Sequence, residues 1–252
     1  MRKIAGIILS VALALILVAC NNGDGVSQEG YIEPDERMAT NHDADLRDVP
    51  ADSTPYPVEP YETPIIKTDV FADLASSERH GEVTHVVLHF MSNVIENRIN
   101  PYILTDIERI FRSYGVSAHY IIDRDGTIYL AVPESRTAFH AGAGTLADFP
   151  EYENNLNQHS IGIELLGIGT QEEMTLYLTT SEYDALDPAL IGFTDEQYDA
   201  LNWLLHDILD RHPAIKPNRA HIIGHSEYAP GKIDPGALFE WERLDFMYPP
   251  RT

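Results

Sequence analysis

Residues 83–90 read VTHVVLHF, a run of apolar and β-branched side chains that ends at His89 and Phe90. A run this continuous suits a strand covered on both faces, as in the parallel part of an α/β sheet. Working outward from it, TDIERIFRSYG (105–115) predicts a helix. Thr105 and Glu108 have capping-box spacing, Ile107, Ile110, Phe111 and Tyr114 mark one face, and Gly115 supplies the stop. VSAHYIIDRDGTIYLAV (116–132) predicts a hairpin turning at Asp125-Gly126. SIGIELLG (160–167) is a second apolar strand. FTDEQYDALNWLLHDILDRH (193–212) is the strongest helix, with Thr194 and Gln197 at its start and Tyr198, Leu201, Leu205, Ile208 and Leu209 as the inner stripe. HII (221–223) is a short strand, and ALFEWERL (237–244) predicts a closing helix. Strands and helices alternate, which predicts an α/β layered domain over residues 65–252.

The 252-residue chain carries a formal net charge of −23. Phosphate backbones would be repelled, so no nucleic-acid partner is expected. There is one cysteine, Cys20, which excludes an internal disulfide and a cysteine-rich zinc finger. Basic residues, an apolar run and a small residue before Cys20 give residues 1–20 the layout of an exported leader. The alternative is an uncleaved anchor, for which the apolar run is short. The position of the cysteine resembles the lipobox of bacterial lipoproteins. That resemblance implies lipidation at Cys20, a lipid anchor in the membrane and export to the cell envelope. Residues 21–64 are acidic and proline-punctuated, with no apolar period. They predict a disordered tether that cannot repay its ordering entropy.

The chemistry concentrates in GHSEYAPGKIDPG (224–236), a loop of turn-forming residues that also holds His225, Lys232 and Asp234. His89 ends one strand and His225 follows another, so each side chain can point into a cleft from a fixed backbone. Asp234 precedes Pro235, which restricts where its carboxylate aims. Two imidazoles and a carboxylate make a three-ligand zinc set with an open position. The alternative is that both histidines are satisfied core or loop residues. Glu164 lies inside an otherwise apolar strand, where a carboxylate needs a partner or a solvated pocket. It is either a core ion-pair residue or a general base. A serine nucleophile at Ser226 fails, because an elbow wants glycine where Tyr228 stands. No His-Glu-x-x-His occurs.

HVVLHF, SAHYIIDRDGTIY, AFHAG, SIGIELLG and GHSEYAPGKIDPG follow one another in the chain. In that order they resemble the zinc-dependent N-acetylmuramoyl-L-alanine amidases of the amidase-2 family, relatives of the peptidoglycan recognition proteins. The resemblance covers residues 65–245 and implies one domain with a central mixed β-sheet flanked by helices. It puts zinc ligands at His89, His225 and Asp234, the catalytic carboxyl at Glu164 and the catalytic lysine at Lys232. Ala118 stands where some relatives carry a tyrosine, so that residue cannot contribute here. His140 is expected to line the substrate cleft, and His119 to orient a catalytic group or simply fill a strand position. His85, His159, His206, His212 and His221 are expected to be structural or surface residues. Residues 168–193 form either a cleft wall or a surface insertion. The implied activity is hydrolysis of the amide between N-acetylmuramic acid and L-alanine in peptidoglycan, by a monomer. The alternative is a peptidoglycan-binding lipoprotein without catalysis.

Overall fold

A computed structural model describes residues 63–68, 71 and 74–245. The leader, Cys20 and the acidic segment up to residue 62 lie outside the described residues.

The strand expected at VTHVVLHF is β3 (His85–Met91), and SIGIELLG forms β7 (Ser160–Leu166). They pair in parallel, with His85 opposite Ser160 and His89 opposite Glu164. The hairpin turns where expected, joining β4 (Tyr120–Ile122) to β5 (Ile128–Leu130), with Gly126 at φ 78°. β8 (Ile222–Gly224) flanks β3 on its other side, and β1 (Ile66–Lys67) runs parallel to β5. The strand order β1-β5-β4-β7-β3-β8 makes a mixed six-stranded sheet, matching the expected class. β2 (Ser76–Glu78) and β6 (Arg136–Ala138) pair separately as a small antiparallel ribbon.

Side chains alternate across a strand, so the register divides the sheet into two faces. On one, Val86, Leu88, Ile161, Ile163 and Leu165 pack against Tyr198, Leu201, Leu204, Leu205 and Ile208. Those five come from α3 (Asp195–Arg211), which follows the short α2 (Thr180–Asp184) and whose start carries the expected Thr194/Gln197 capping box. The opposite face is covered in two patches. Ile107 and Phe111 of α1 (Leu104–Tyr114) lie in the cluster that includes Ile121, Tyr129 and Leu166. Ala141, Leu146, Leu156 and Tyr228 gather over Val87 and Ile223. His89 and Glu164 share this second face, at the C-terminal ends of β3 and β7.

Two local expectations fail. The capping box at Thr105 does not form: α1 starts a residue earlier, with Ile103 as an N-cap that makes no side-chain bond. The carbonyl of Ile103 accepts from Asp106 and Ile107, and Leu104 packs against the apolar cluster, so burial decides the start. Gly115 ends the helix as expected, at φ 64°. The closing helix at 237–244 shrinks to one 3-10 turn, Trp241–Arg243. Its polar groups are spent on tertiary contacts: Glu240 N–H donates to Tyr198 Oη, Arg243 C=O accepts from Asn202, and Arg219 stacks on Trp241.

Candidate active site

His89 projects from β3, and His225 opens the short helix α4 (His225–Tyr228) directly after β8. The loop beyond α4 folds back, so that the Asp234 carbonyl accepts from Ser226 N–H. Gly224 lets it close, since a Cβ there would sit 2.6 Å from Pro235 Cδ. The result is convergence. Asp234 Oδ2 lies 2.7 Å from His89 Nδ1 and 2.9 Å from His225 Nδ1, and the two nitrogens are 3.1 Å apart. Both histidines are buried and Asp234 is partly so. His89, His225 and Asp234 form a group that could hold a metal ion.

Proton counting supports a cation at this point. His225 Nε2 lies 3.0 Å from the Ala141 carbonyl, which can only accept, so Nε2 carries the hydrogen. In the tautomer with its hydrogen on Nε2, His225 turns an Nδ1 lone pair toward the Asp234 carboxylate. Lone pair against carboxylate is repulsive unless positive charge sits between them. Burial, then the neighbouring His225, pushes the His89 pKa down to about 4, which keeps that imidazole neutral and able to ligate.

Glu164 stands next to His89 across the β3–β7 pairing. Its Oε2 is buried with no hydrogen-bond partner among the described residues. The core ion-pair alternative therefore gains no support from hydrogen bonding at that atom. Burial, reinforced by the charge of Asp234 and opposed by Lys232, raises its pKa well above the ordinary value. Such a carboxyl is suited to picking up and returning a proton. Lys232 is exposed at the loop tip, and its charge acts on both Glu164 and His89.

The other two expected residues lie deeper. His140 is buried behind His89, with Nδ1 3.1 Å from His89 Nε2 and Nε2 3.2 Å from Ser160 Oγ. His119 is fully buried and latches β4 to β7, its Nδ1 accepting from Gly162 N–H at 3.0 Å. Its Nε2 lies 2.8 Å from Arg79 Nη2 and 3.1 Å from the Arg136 carbonyl. Burial, then the Arg79 guanidinium, lowers its pKa to about 3.

Sequence reading did not single out Ser160, the Ala141 carbonyl or Glu173. Residues 168–193 pack into the domain through Ile168, Met174, Leu178 and Leu186. From that segment, Glu173 Oε1 accepts from Ala237 N–H at 2.7 Å, bracing the loop just past Asp234. Burial, then the Asp234 charge, raises the Tyr177 pKa, so the segment reaches the electrostatic surroundings of the site.

A mixed α/β sheet with a His-His-Asp cluster and a carboxyl at its strand ends is one feature of a metal-assisted hydrolase site. Residues 79–237 match the family model described as N-acetylmuramoyl-L-alanine amidase, and the chain belongs to that family. It is 34% identical over 138 residues to the 1,6-anhydro-N-acetylmuramyl-L-alanine amidase AmpD of Citrobacter freundii, covering 54% of this chain and 59% of that one. The AmpD of Escherichia coli strain K12 is 33% identical over 138 residues, covering 54% and 61%. The chain thus spans about three fifths of the length of these curated relatives. A crystal structure of a selenomethionine AmpD derivative superposes with a TM-score of 0.50 at 26% identity, covering 74% of this chain and 96% of that one.

Proposed function

We propose that this protein is a zinc-dependent amidase that hydrolyses the bond between the lactyl group of N-acetylmuramic acid and the first L-alanine of the peptidoglycan stem peptide. The observation that carries the reading is the meeting of His89, His225 and Asp234 beside Glu164, whose buried Oε2 has no hydrogen-bond partner among the described residues. The matched relatives are amidases of this bond in its 1,6-anhydro form, which supports the substrate class. Two neutral imidazoles and one carboxylate suit zinc, and leave room for further ligands. Bound there, zinc would supply Lewis acidity that polarises a carbonyl and acidifies water.

The chain's own residues do the rest. Glu164 takes the proton of the attacking water and delivers one to the departing amine nitrogen, so no free amide anion leaves. The ammonium of Lys232 faces the negative charge that develops on the carbonyl oxygen. Asp234 would offset part of the charge of a bound zinc, leaving the site less cationic for the proton that Glu164 carries. A muropeptide binder without catalysis would have no use for a buried carboxyl oxygen that costs desolvation and finds no hydrogen-bond partner among the described residues.

We also propose that Cys20 is lipidated and that the acidic tether holds the domain outside the cytoplasm, against the envelope it works on. The order of basic, apolar and small residues before Cys20 supports this. Cys20→Ala is expected to move the protein from the membrane fraction to the soluble one. Retention in the membrane would refute lipid anchoring at that residue.

The deciding experiment digests peptidoglycan with the full chain in detergent and identifies products by mass spectrometry. Stem peptides with a free L-alanine amine are expected, lost with a chelator and restored by zinc. A folded, zinc-loaded protein that releases none of them would leave the binding role instead.

A further inference from the structure

His140 makes no bond toward open solvent: both ring nitrogens are engaged inside the protein. The direction of that network can be read from its closed end. The Leu156 carbonyl can only accept, so Ser160 Oγ, 2.7 Å away, donates its hydrogen there. The Ser160 oxygen is then the acceptor for His140 Nε2–H, at 3.2 Å. With its hydrogen on Nε2, His140 presents a lone pair at Nδ1 and accepts from His89 Nε2–H at 3.1 Å. That leaves the His89 lone pair on Nδ1, the atom facing Asp234 and His225.

Backbone and packing hold this relay in place. Asn157 Oδ1 accepts from the backbone N–H of His140 at 3.0 Å and of Ala141 at 2.8 Å. The His140 ring lies directly over Gly162, where a Cβ would come within 2.4 Å of its Cγ. The same dipeptide orients both imidazoles of the cluster: His140 through its side chain onto His89, and Ala141 through its carbonyl onto His225.

We propose that His140, fixed by Ser160, is a positioning residue that holds His89 in the tautomer whose Nδ1 lone pair is directed at the metal. This rests on reading His89, His225 and Asp234 as zinc ligands. It assigns His140 to the far side of a ligand and not to substrate. Partners of this kind, when removed, typically cost about 10–100-fold in metal affinity.

The test measures zinc affinity of the full chain by competition with a chromogenic chelator, alongside the absorption spectrum of the cobalt(II)-loaded protein. His140→Leu, which keeps bulk but offers no acceptor, is expected to weaken zinc about 10–100-fold and alter the cobalt spectrum. His140→Asn places an oxygen where Nδ1 stood, and is expected to recover most of the affinity. Wild-type affinity in a folded His140→Leu protein would overturn the proposal, as would His140→Asn binding as weakly as His140→Leu. Absence of zinc binding by the wild-type chain would overturn both this proposal and the metal reading beneath it. Should His140→Leu not fold, nitrogen-15 spectra of the wild-type imidazoles decide: His140 and His89 are expected as Nε2–H tautomers, and Nδ1–H in either overturns the proposal.

Discussion

The two faces of β3 and β7 are built from alternate residues of the same fourteen-residue pairing, yet they obey different rules. Val86, Leu88, Ile161, Ile163 and Leu165 face α3 and contribute burial alone. His85, His89, Ser160 and Glu164 are buried on the other face as polar groups, each requiring a partner or a purpose. One face supplies the stability that the other spends on desolvated imidazole and carboxyl. A strand pair can therefore be a rigid base and a reactive surface at once, with the pleat keeping the two roles apart.

Substitutions on each face should separate activity from stability. The largest effect is expected from Glu164→Gln, which should lower stem-peptide release by about 10²–10⁴-fold, measured by mass spectrometry, while the fold persists. In metal-free protein the same change should raise stability, and the sign follows from linkage. A carboxyl whose pKa is raised in the fold contributes stability below its unfolded pKa and loses it as pH rises through the folded one. The advantage of glutamine over glutamate should then be smallest in acid and grow above the ordinary carboxyl range, as denaturant titrations at several pH values would show. No such trend would mean that Glu164 is solvated or paired.

On the opposite face, Leu88→Ala should cost about 2–5 kcal/mol of stability through a cavity under α3. Zinc affinity of the remaining folded protein should stay unchanged, and a parallel loss would show that the faces are coupled. Lys232→Ala, at an exposed loop tip, should lower turnover by about 10²–10³-fold with no change in melting temperature. The smallest effect is expected from Thr194→Ala, which removes the cap of α3 and should cost about 1 kcal/mol in thermal unfolding without touching turnover per folded molecule.

Periodicity found β3, β4, β5, β7 and α3 because each carries its own local signal. It failed where tertiary contacts outbid local ones. Thr105 has the spacing of a cap, but Leu104 is drawn into the apolar cluster and the helix begins ahead of it. Residues 237–244 have a helical composition, yet their polar groups bond to α3 and leave only a turn. β1, β2 and β6 are as short as β4 and β5 or shorter, but no Asp-Gly turn joins them to a neighbour and marks them in the chain.

The candidate ligands were legible by residue type and by position at strand ends, and Glu164 by being charged within an apolar strand. Their companions were not. Ser160 and Glu173 are ordinary polar residues in sequence, and Ala141 acts through a carbonyl that every residue possesses. The chain by itself determined the alternation of strands and helices and the chemical types available, because those depend on neighbours a few positions away. Only the tertiary structure decided that His89 meets His225 and Asp234, 136 and 145 positions further on, and which imidazole nitrogen each turns toward the others. The reason is physical: a lone pair's direction is set by whichever carbonyl or hydroxyl lies behind the ring, and those groups arrive from segments whose proximity only the folded sheet creates.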